Sequence, residues 1–535
     1  MRDVDAVIIG SGSGGLTAAL ALARAGRRVA VFEQHYLPGG YSQTFSMKDF
    51  HFSPGIHYVG ALDPGGSLRR IYEGLGVAND LEFFELDPDG YDRVFVGDAR
   101  FDIPKGKDRF RDRLIAHFPS EAEGITRYFD LVTRMIDEMG YATPIHSVRE
   151  AVSVLTHART LLRHGARPLS DFLDDCTRHP MVRAILSIQA GDHGMAPGRA
   201  PTALHAGLQG YYFDGGCYPR GGGRHIADTL VAHIRAHHGE VHLRTEVAAI
   251  LIEQGQVLGV RLADGQEVRA PLVISNADPG VTWGRLVAPE HQGHRLRRRI
   301  RHLRFSISTL SLFMAVDMDL RAAGIDSGNI WFSRTPDIDA VYDLAGLETL
   351  TGREEVPGLF FNATTLKDPT MRRDGLHTVE AMTVASVAPF EQWLDTPRGH
   401  RPPEYQQLKA DLTERILDAI ECFLPGVRDH VVMHTLGTPL SNVHYLHATD
   451  GGIYGTEKTV GNLGPFSFPT ETHIRGLYQC GASILAPGIN GVTHSGLRAA
   501  ATALGCEPDE LLTATGQSLR IYPAEQPDAW PDAVR

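Results

Sequence analysis

The sequence predicts an α/β protein in which three glycine-marked segments assemble one domain, and two long stretches between them build a second of α+β character. Three observations predict it. A strand–glycine–helix–strand unit opens the chain, a second glycine run enters a helix at mid-chain, and a third does so near the end. Strands alternating with helical patterns in this way require a parallel sheet with helices on its faces.

In the opening unit, residues 4–9 read as a strand buried in a parallel sheet, on their apolar run. Gly10-Ser11-Gly12-Ser13-Gly14-Gly15 follows, then an Ala- and Leu-rich helix over 16–25 that Gly26 terminates. Residues 29–32 form the second strand, with Glu33 at its carboxyl end. The second run, 215–223, opens a helix carrying Ile226, Leu230 and Ile234 on one stripe. Strands over 241–243, 247–252 and 257–262 come next, with turn signals at Gln254-Gly255 and Asp264-Gly265. Residues 273–276 read as a strand returning to the first sheet. The third run passes from the strand 477–480 through Gly481 and Pro487-Gly488-Ile489-Asn490-Gly491 into a helix over 492–504. Of the intervening stretches, 58–214 is mostly helical, and 283–471 mixes helices with strands over 306–316 and 378–386. The tail after Thr515, with Pro523, Pro527 and Pro531, is expected to be loosely ordered.

Composition narrows the function. With 535 residues, 42% hydrophobic and 22% charged, the chain buries a large core without disulfides or metals. Its 52 Lys and Arg against 64 Asp and Glu leave a net charge of −12, which argues against a nucleic-acid partner. Five cysteines without a CxxC spacing give neither a disulfide framework nor a zinc site, so a reducing, cytoplasmic setting is expected. The apolar run ending at Gly10 is too short for a signal segment, and nothing approaches a membrane span.

Gly10-x-Gly12-x-x-Gly15 has dinucleotide-binding spacing. Gly10 permits the tight turn, Gly12 lets the backbone approach a pyrophosphate, and Gly15 seats the helix close to the strand. Glu33 stands where a carboxylate can bond ribose hydroxyls. Gly39-Gly40 is a second close-approach element, and Gly481…Gly488…Gly491 leads to another helix N-terminus, able to favour negative charge on a reduced flavin. The bland alternative for that late segment is a core helix with a flexible lead-in.

The residues 7–16, Glu33-Gln34-His35, Gly39-Gly40 and Phe52-Ser53-Pro54-Gly55-Ile56-His57-Tyr58-Val59-Gly60 resemble the all-trans-retinol 13,14-reductase (retinol saturase) family, beside carotenoid isomerases and phytoene-type desaturases. Pro168 to Asp171, Leu204-His205-Ala206, Gly215 to Gly222, Ser275 to Pro279 and Gly452-x-Tyr454-Gly455 extend the likeness over 4–505. The resemblance implies a glutathione-reductase-type Rossmann domain holding non-covalent FAD, with an inserted substrate domain and a lipid-accessible tunnel. The FAD domain would comprise 1–57, 215–282 and 472–514, and the substrate domain 58–214 and 283–471, leaving 515–535 as a tail. By the same resemblance Gly12, Ser13 and Gly15 take the pyrophosphate, Glu33 the ribose, and Gly40 and Ser42 line the cleft, with Gly10, Gly14, Gln34 and Tyr41 beside them. Val247 meets the adenine, Gly481 and Ala482 the ribityl-phosphate end, and Gly491 and Val492 the ring system.

The function so implied is reduction of a carbon–carbon double bond in an apolar polyene or isoprenoid, with NAD(P)H or another reductant as electron source. Isomerisation or desaturation of a polyene is the first rival. A non-enzymatic escort of prenylated proteins is the second, and the intact late flavin segment counts against it. A reductase needs a proton donor near neutral pH. His57 and His494 adjoin segments expected at the flavin, and Tyr454 is a third candidate. For both histidines, hydrogen bonding to backbone or cofactor is an equal alternative. His233 and His237, spaced i, i+4, read as a solvated helix face rather than metal ligands, and no metal site is expected. The basic stretch 295–304 carries Leu296, Ile300 and Leu303 on one stripe. It suits contact with an anionic membrane surface, or packing on its own domain with the arginines in water.

Overall fold

A computed structural model describes residues 3–141, 148–343, 355–372 and 375–534. At its centre lies a five-stranded parallel sheet, in the order Leu477–Gln479, Val273–Ser275, Ala6–Ile9, Val29–Phe32, Glu240–His242. All three glycine-marked segments therefore meet in one sheet. Side chains alternate across it. Ala6, Ile8, Val29, Val31 and Ile274 share a buried cluster with residues of the helices Ser13–Arg24, Gly223–Ala236 and Gly488–Leu504. Val7, Ile9, Ala30, Phe32 and Val273 bury their side chains in another cluster, with Val257, Val260 and Val268 of the antiparallel sheet Val247–Glu253, Gln256–Leu262, Glu267–Arg269. Being covered on both faces is why these strands are apolar throughout. The turn at Gln254-Gly255 has φ of 49° and 74°, as a tight two-residue hairpin requires.

A second sheet of seven strands runs Val431–Gly437, Ser308–Val316, His377–Ala385, Gly358–Ala363, Asn329–Ser333, Asp92–Val96, Ala99–Ile103. Only the contact of Asn329–Ser333 with Asp92–Val96 is parallel, and it joins the two long intervening stretches in one sheet. Helices of the first stretch, among them Ala122–Met139 and Thr202–Tyr212, pack on this sheet through a cluster containing Tyr58, Phe129, Phe172, Trp331 and Phe360.

One expectation is corrected, and one alternative is decided. The tail is ordered: Arg520–Pro523 pairs in parallel with Glu82–Glu85, and Trp530 and Val534 bury against Phe84. Its prolines fall at the strand's end and in the turn beyond, so they cost no ladder bond, and the apolar residues between them find a partner. The basic helix His294–Arg301 turns Leu296 and Ile300, with Leu303 just beyond, onto the cluster that covers the central sheet. Arg299 lies over the Phe468 ring at 3.9 Å and donates to Phe466 O. The apolar stripe faces the protein's own core, the second of the two readings of this stretch. No helix among the described residues is long and apolar enough to cross one.

Candidate active site

The first strand ends at Gly10, whose φ of +90° turns the chain back into the helix Ser13–Arg24. Asn276, at the end of the neighbouring strand, fills this turn from the side. A Cβ on Gly12 would lie 2.7 Å from Asn276 Nδ2, and one on Gly15 would lie 2.2 Å from Gly10 O. Neither this helix nor Gly488–Leu504 has a side-chain cap, their cap residues being Gly12 and Pro487. Both uncapped N-termini border a single cavity of about 730 Å³. Their unsatisfied N–H groups and partial positive charge suit a bound anion.

Glu33 is buried at the carboxyl end of Val29–Phe32. Its Oε2 accepts from Ser11 N and Oγ at 2.8 Å, and Oε1 from His35 N at 2.8 Å. Oε1 keeps a lone pair for a hydroxyl donor. Ser13 Oγ and Ser42 Oγ stand 2.7 Å apart on the same wall, and Gln43 Oε1 is buried without a hydrogen-bond partner. Uncapped helix ends, a fixed carboxylate and an orphaned acceptor in one cleft fit a dinucleotide such as FAD.

Of the cofactor-binding residues expected from sequence, Gly10, Gly12, Ser13, Gly14, Glu33, Gln34, Gly40, Tyr41, Ser42, Val247, Gly481, Ala482 and Val492 line the cavity. Gly15 and Gly491 do not. Gly15 sits behind the turn, and a Cβ on Gly491 would lie 2.4 Å from Ala486 O, so both are required by packing.

Beyond the cleft the same cavity continues between apolar side chains of the seven-stranded sheet and its neighbours, including Ile188, Trp331, Phe332, Leu359, Phe360 and Met382. His57 and Tyr454 stand on its walls. His57 Nδ1 lies 3.1 Å from Glu380 Oε2, which also accepts from Asn362 Nδ2 at 3.2 Å, while Glu380 Oε1 accepts from Ser53 N at 2.7 Å. The ring is thereby fixed, tilted against Phe360 at 5.3 Å. Burial first, then Asp192, hold the Tyr454 hydroxyl well above the ordinary phenol range, so it gives up its proton reluctantly.

His494 is not on the cavity wall. It follows Val492 by two residues on one helix, which turns it about 200° away. Burial and the nearby Arg70 and Arg498 lower its pKa. His233 pairs with Asp80 at 2.7 Å on the surface, and no group of His, Cys, Asp and Glu among the described residues could hold a metal ion.

Four charged residues that carry no motif also gather here. Lys367, buried completely, donates to His57 O at 2.6 Å and to Asn329 Oδ1 at 2.5 Å. Asp92 is buried beside it, and Asp192 and Glu380 complete the group. Burial, countered by Glu380, Asp92 and Asp192, brings the Lys367 pKa down to about 7. They come from three distant parts of the chain, Lys367 and Glu380 from one of them, and no local pattern could have announced the group.

An uncapped-helix dinucleotide cleft that opens into an apolar cavity defines a flavin-dependent oxidoreductase. The chain matches the flavin containing amine oxidoreductase family over residues 13–504 and belongs to it. It is similar to all-trans-retinol 13,14-reductase of Danio rerio, 29% identical over 93% of this chain and 85% of the relative. It is also similar to prolycopene isomerase 1 of an Oncidium hybrid cultivar, 27% identical over 95% of this chain and 85% of that one. Among solved structures, cyclohexylamine oxidase from Brevibacterium oxydans shares the fold with a TM-score of 0.61, at 17% identity over 95% of this chain and all of the other.

Proposed function

We propose that this enzyme uses FAD to reduce a carbon–carbon double bond of an apolar polyene or isoprenoid. The observation that carries the reading is the single cavity, with a dinucleotide cradle at one end and an apolar wall at the other. The similarity to retinol 13,14-reductases supports the direction of the chemistry. When bound, the flavin supplies hydride exchange at its ring. Gly12, Ser13 and Ser42 hold its pyrophosphate and Glu33 its ribose. Trp331, Phe360 and Met382 exclude water and align the polyene. His57, locked by Glu380, adjoins the substrate as a polar anchor. NAD(P)H or another two-electron donor restores the reduced state. The residues 1–57, 215–282 and 472–514 act as the cofactor domain, and 58–214 with 283–471 as the substrate domain.

Chemically reduced holoenzyme, mixed anaerobically with all-trans-retinol and a panel of longer polyenes, should re-oxidise its flavin and give a product heavier by two hydrogens. A product of unchanged mass would establish isomerisation, the reading that the similarity to prolycopene isomerases favours. A product lighter by two hydrogens, formed by oxidised enzyme, would establish desaturation.

A further inference from the structure

Adding hydrogen across an alkene takes a hydride at one carbon and a proton at its neighbour, and the second needs a donor on the cavity wall. Asp192 lines the cavity and is part-buried there. Its Oδ2 lies 2.6 Å from the Tyr58 hydroxyl, and the same hydroxyl lies 3.2 Å from Asp92 Oδ2. Asp92 in turn accepts from Gln189 Nε2 at 2.6 Å and from Asn329 Nδ2 at 2.7 Å, and Asn329 is the partner of Lys367.

A phenol has one proton and here faces two carboxyl groups. Both contacts are hydrogen bonds only when one of the two carboxyls is itself protonated. The charge balance agrees. Asp92, Asp192 and Glu380 share the interior with one lysine, and two adjacent carboxylates out of water cannot both ionise without large cost. Burial and the neighbouring Asp92 push Asp192 well above the carboxylate range, and burial takes Asp92 to about 6.

We propose that Asp192 is the catalytic proton donor and that Asp92, acting through Tyr58, is the positioning residue that reloads it. The inference rests on the polyene-reductase reading above. In the step, the Asp192 O–H bond breaks and a C–H bond forms at the alkene carbon next to the one that takes hydride from the reduced flavin. The carboxylate left on Asp192 accepts the Tyr58 proton, and the tyrosinate takes a proton that Asp92, ionised in the resting state, first acquires from water. Tyr91, Tyr211, Tyr212, Tyr342, Tyr454 and Lys367 are the other titratable groups whose charge is felt by or from Asp192.

The test uses holoenzyme. In the oxidised wild type at pH 7, without substrate, the infrared carbonyl band of a protonated carboxyl group should be present and should vanish in Asp192→Asn. Absence of the band overturns the shared proton. In single-turnover reduction of a polyene that the wild type converts, Asp192→Asn should keep its flavin and slow product formation by about 10²–10⁴-fold. Tyr58→Phe should slow the later turnovers by more than the first, because reloading is lost. Asp192→Asn at the wild-type rate, or later turnovers in Tyr58→Phe slowed no more than the first, overturns the proposal. So does a first-turnover loss of that size in His57→Phe with Asp192→Asn at the wild-type rate. If the band is present but no polyene is converted, the reductase reading fails, and the donor assignment with it.

Discussion

The two helices that present their N-termini to the cofactor cleft are held together at a glycine contact, and one methyl group there should separate them. Gly496, on Gly488–Leu504, packs on the first turn of Ser13–Arg24. An added Cβ would lie 2.0 Å from Gly14 O and 2.8 Å from Gly14 C, against an ordinary contact of 3.4 Å. All three nearest atoms are backbone, so no side chain can swing aside. Gly496→Ala must therefore open the helix pair by more than 1 Å. Overpacking of this size costs roughly 1–3 kcal/mol. The same shift moves the helix ends that face opposite parts of the cleft, so FAD affinity should fall as well. The assay is thermal melting of apo- and holoprotein with flavin content read from absorbance, with Gly284→Ala as control, since nothing lies within 4 Å of that Cβ. Unchanged melting and flavin content in Gly496→Ala would refute the helix-contact argument.

Other expectations are as direct. Gly12→Val should fold without flavin, because its Cβ is directed at Asn276 Nδ2 at 2.7 Å and its methyls enter the pyrophosphate site; normal FAD content would sink the assignment. Ile300→Asp should lower the melting temperature, since Ile300 packs on the protein's own core, and sediment with anionic vesicles to the same extent as the wild type; weaker co-sedimentation at unchanged stability would return the stripe to lipid. His205 is buried and donates to Leu186 O at 2.8 Å, and burial lowers its pKa to about 4 from 6.5. The unfolded chain then binds more protons between those values, so stability rises with pH across that window, by roughly 3 kcal/mol for this group. His205→Gln should flatten that part of the pH–melting curve, and an unaltered curve would count against the neutral buried imidazole.

The glycine turn, the acid at the strand's end and the late helix were legible because each is local. A tight turn, a close helix start and a carboxylate one strand away are dictated by steric rules that act over a few residues. Strand identity was legible for a similar reason, since burial on both faces leaves an unbroken apolar run. The tail was misread because prolines report only on the backbone they occupy, and the pairing edge at Glu82–Glu85 lies more than 400 residues away. The stripe at 295–304 was ambiguous because periodicity tells which face is apolar and not what covers it. His494 shows the same gap: a motif brings a residue to a helix near the cofactor, and the helical angle of two residues then turns it from the cavity. The acids Asp92, Asp192 and Glu380 and the base Lys367 have meaning only together, and only the seven-stranded sheet and the loops beside it bring them together. Short-range sterics wrote the cofactor cradle into the sequence; long-range packing alone decided which charges are taken out of water side by side.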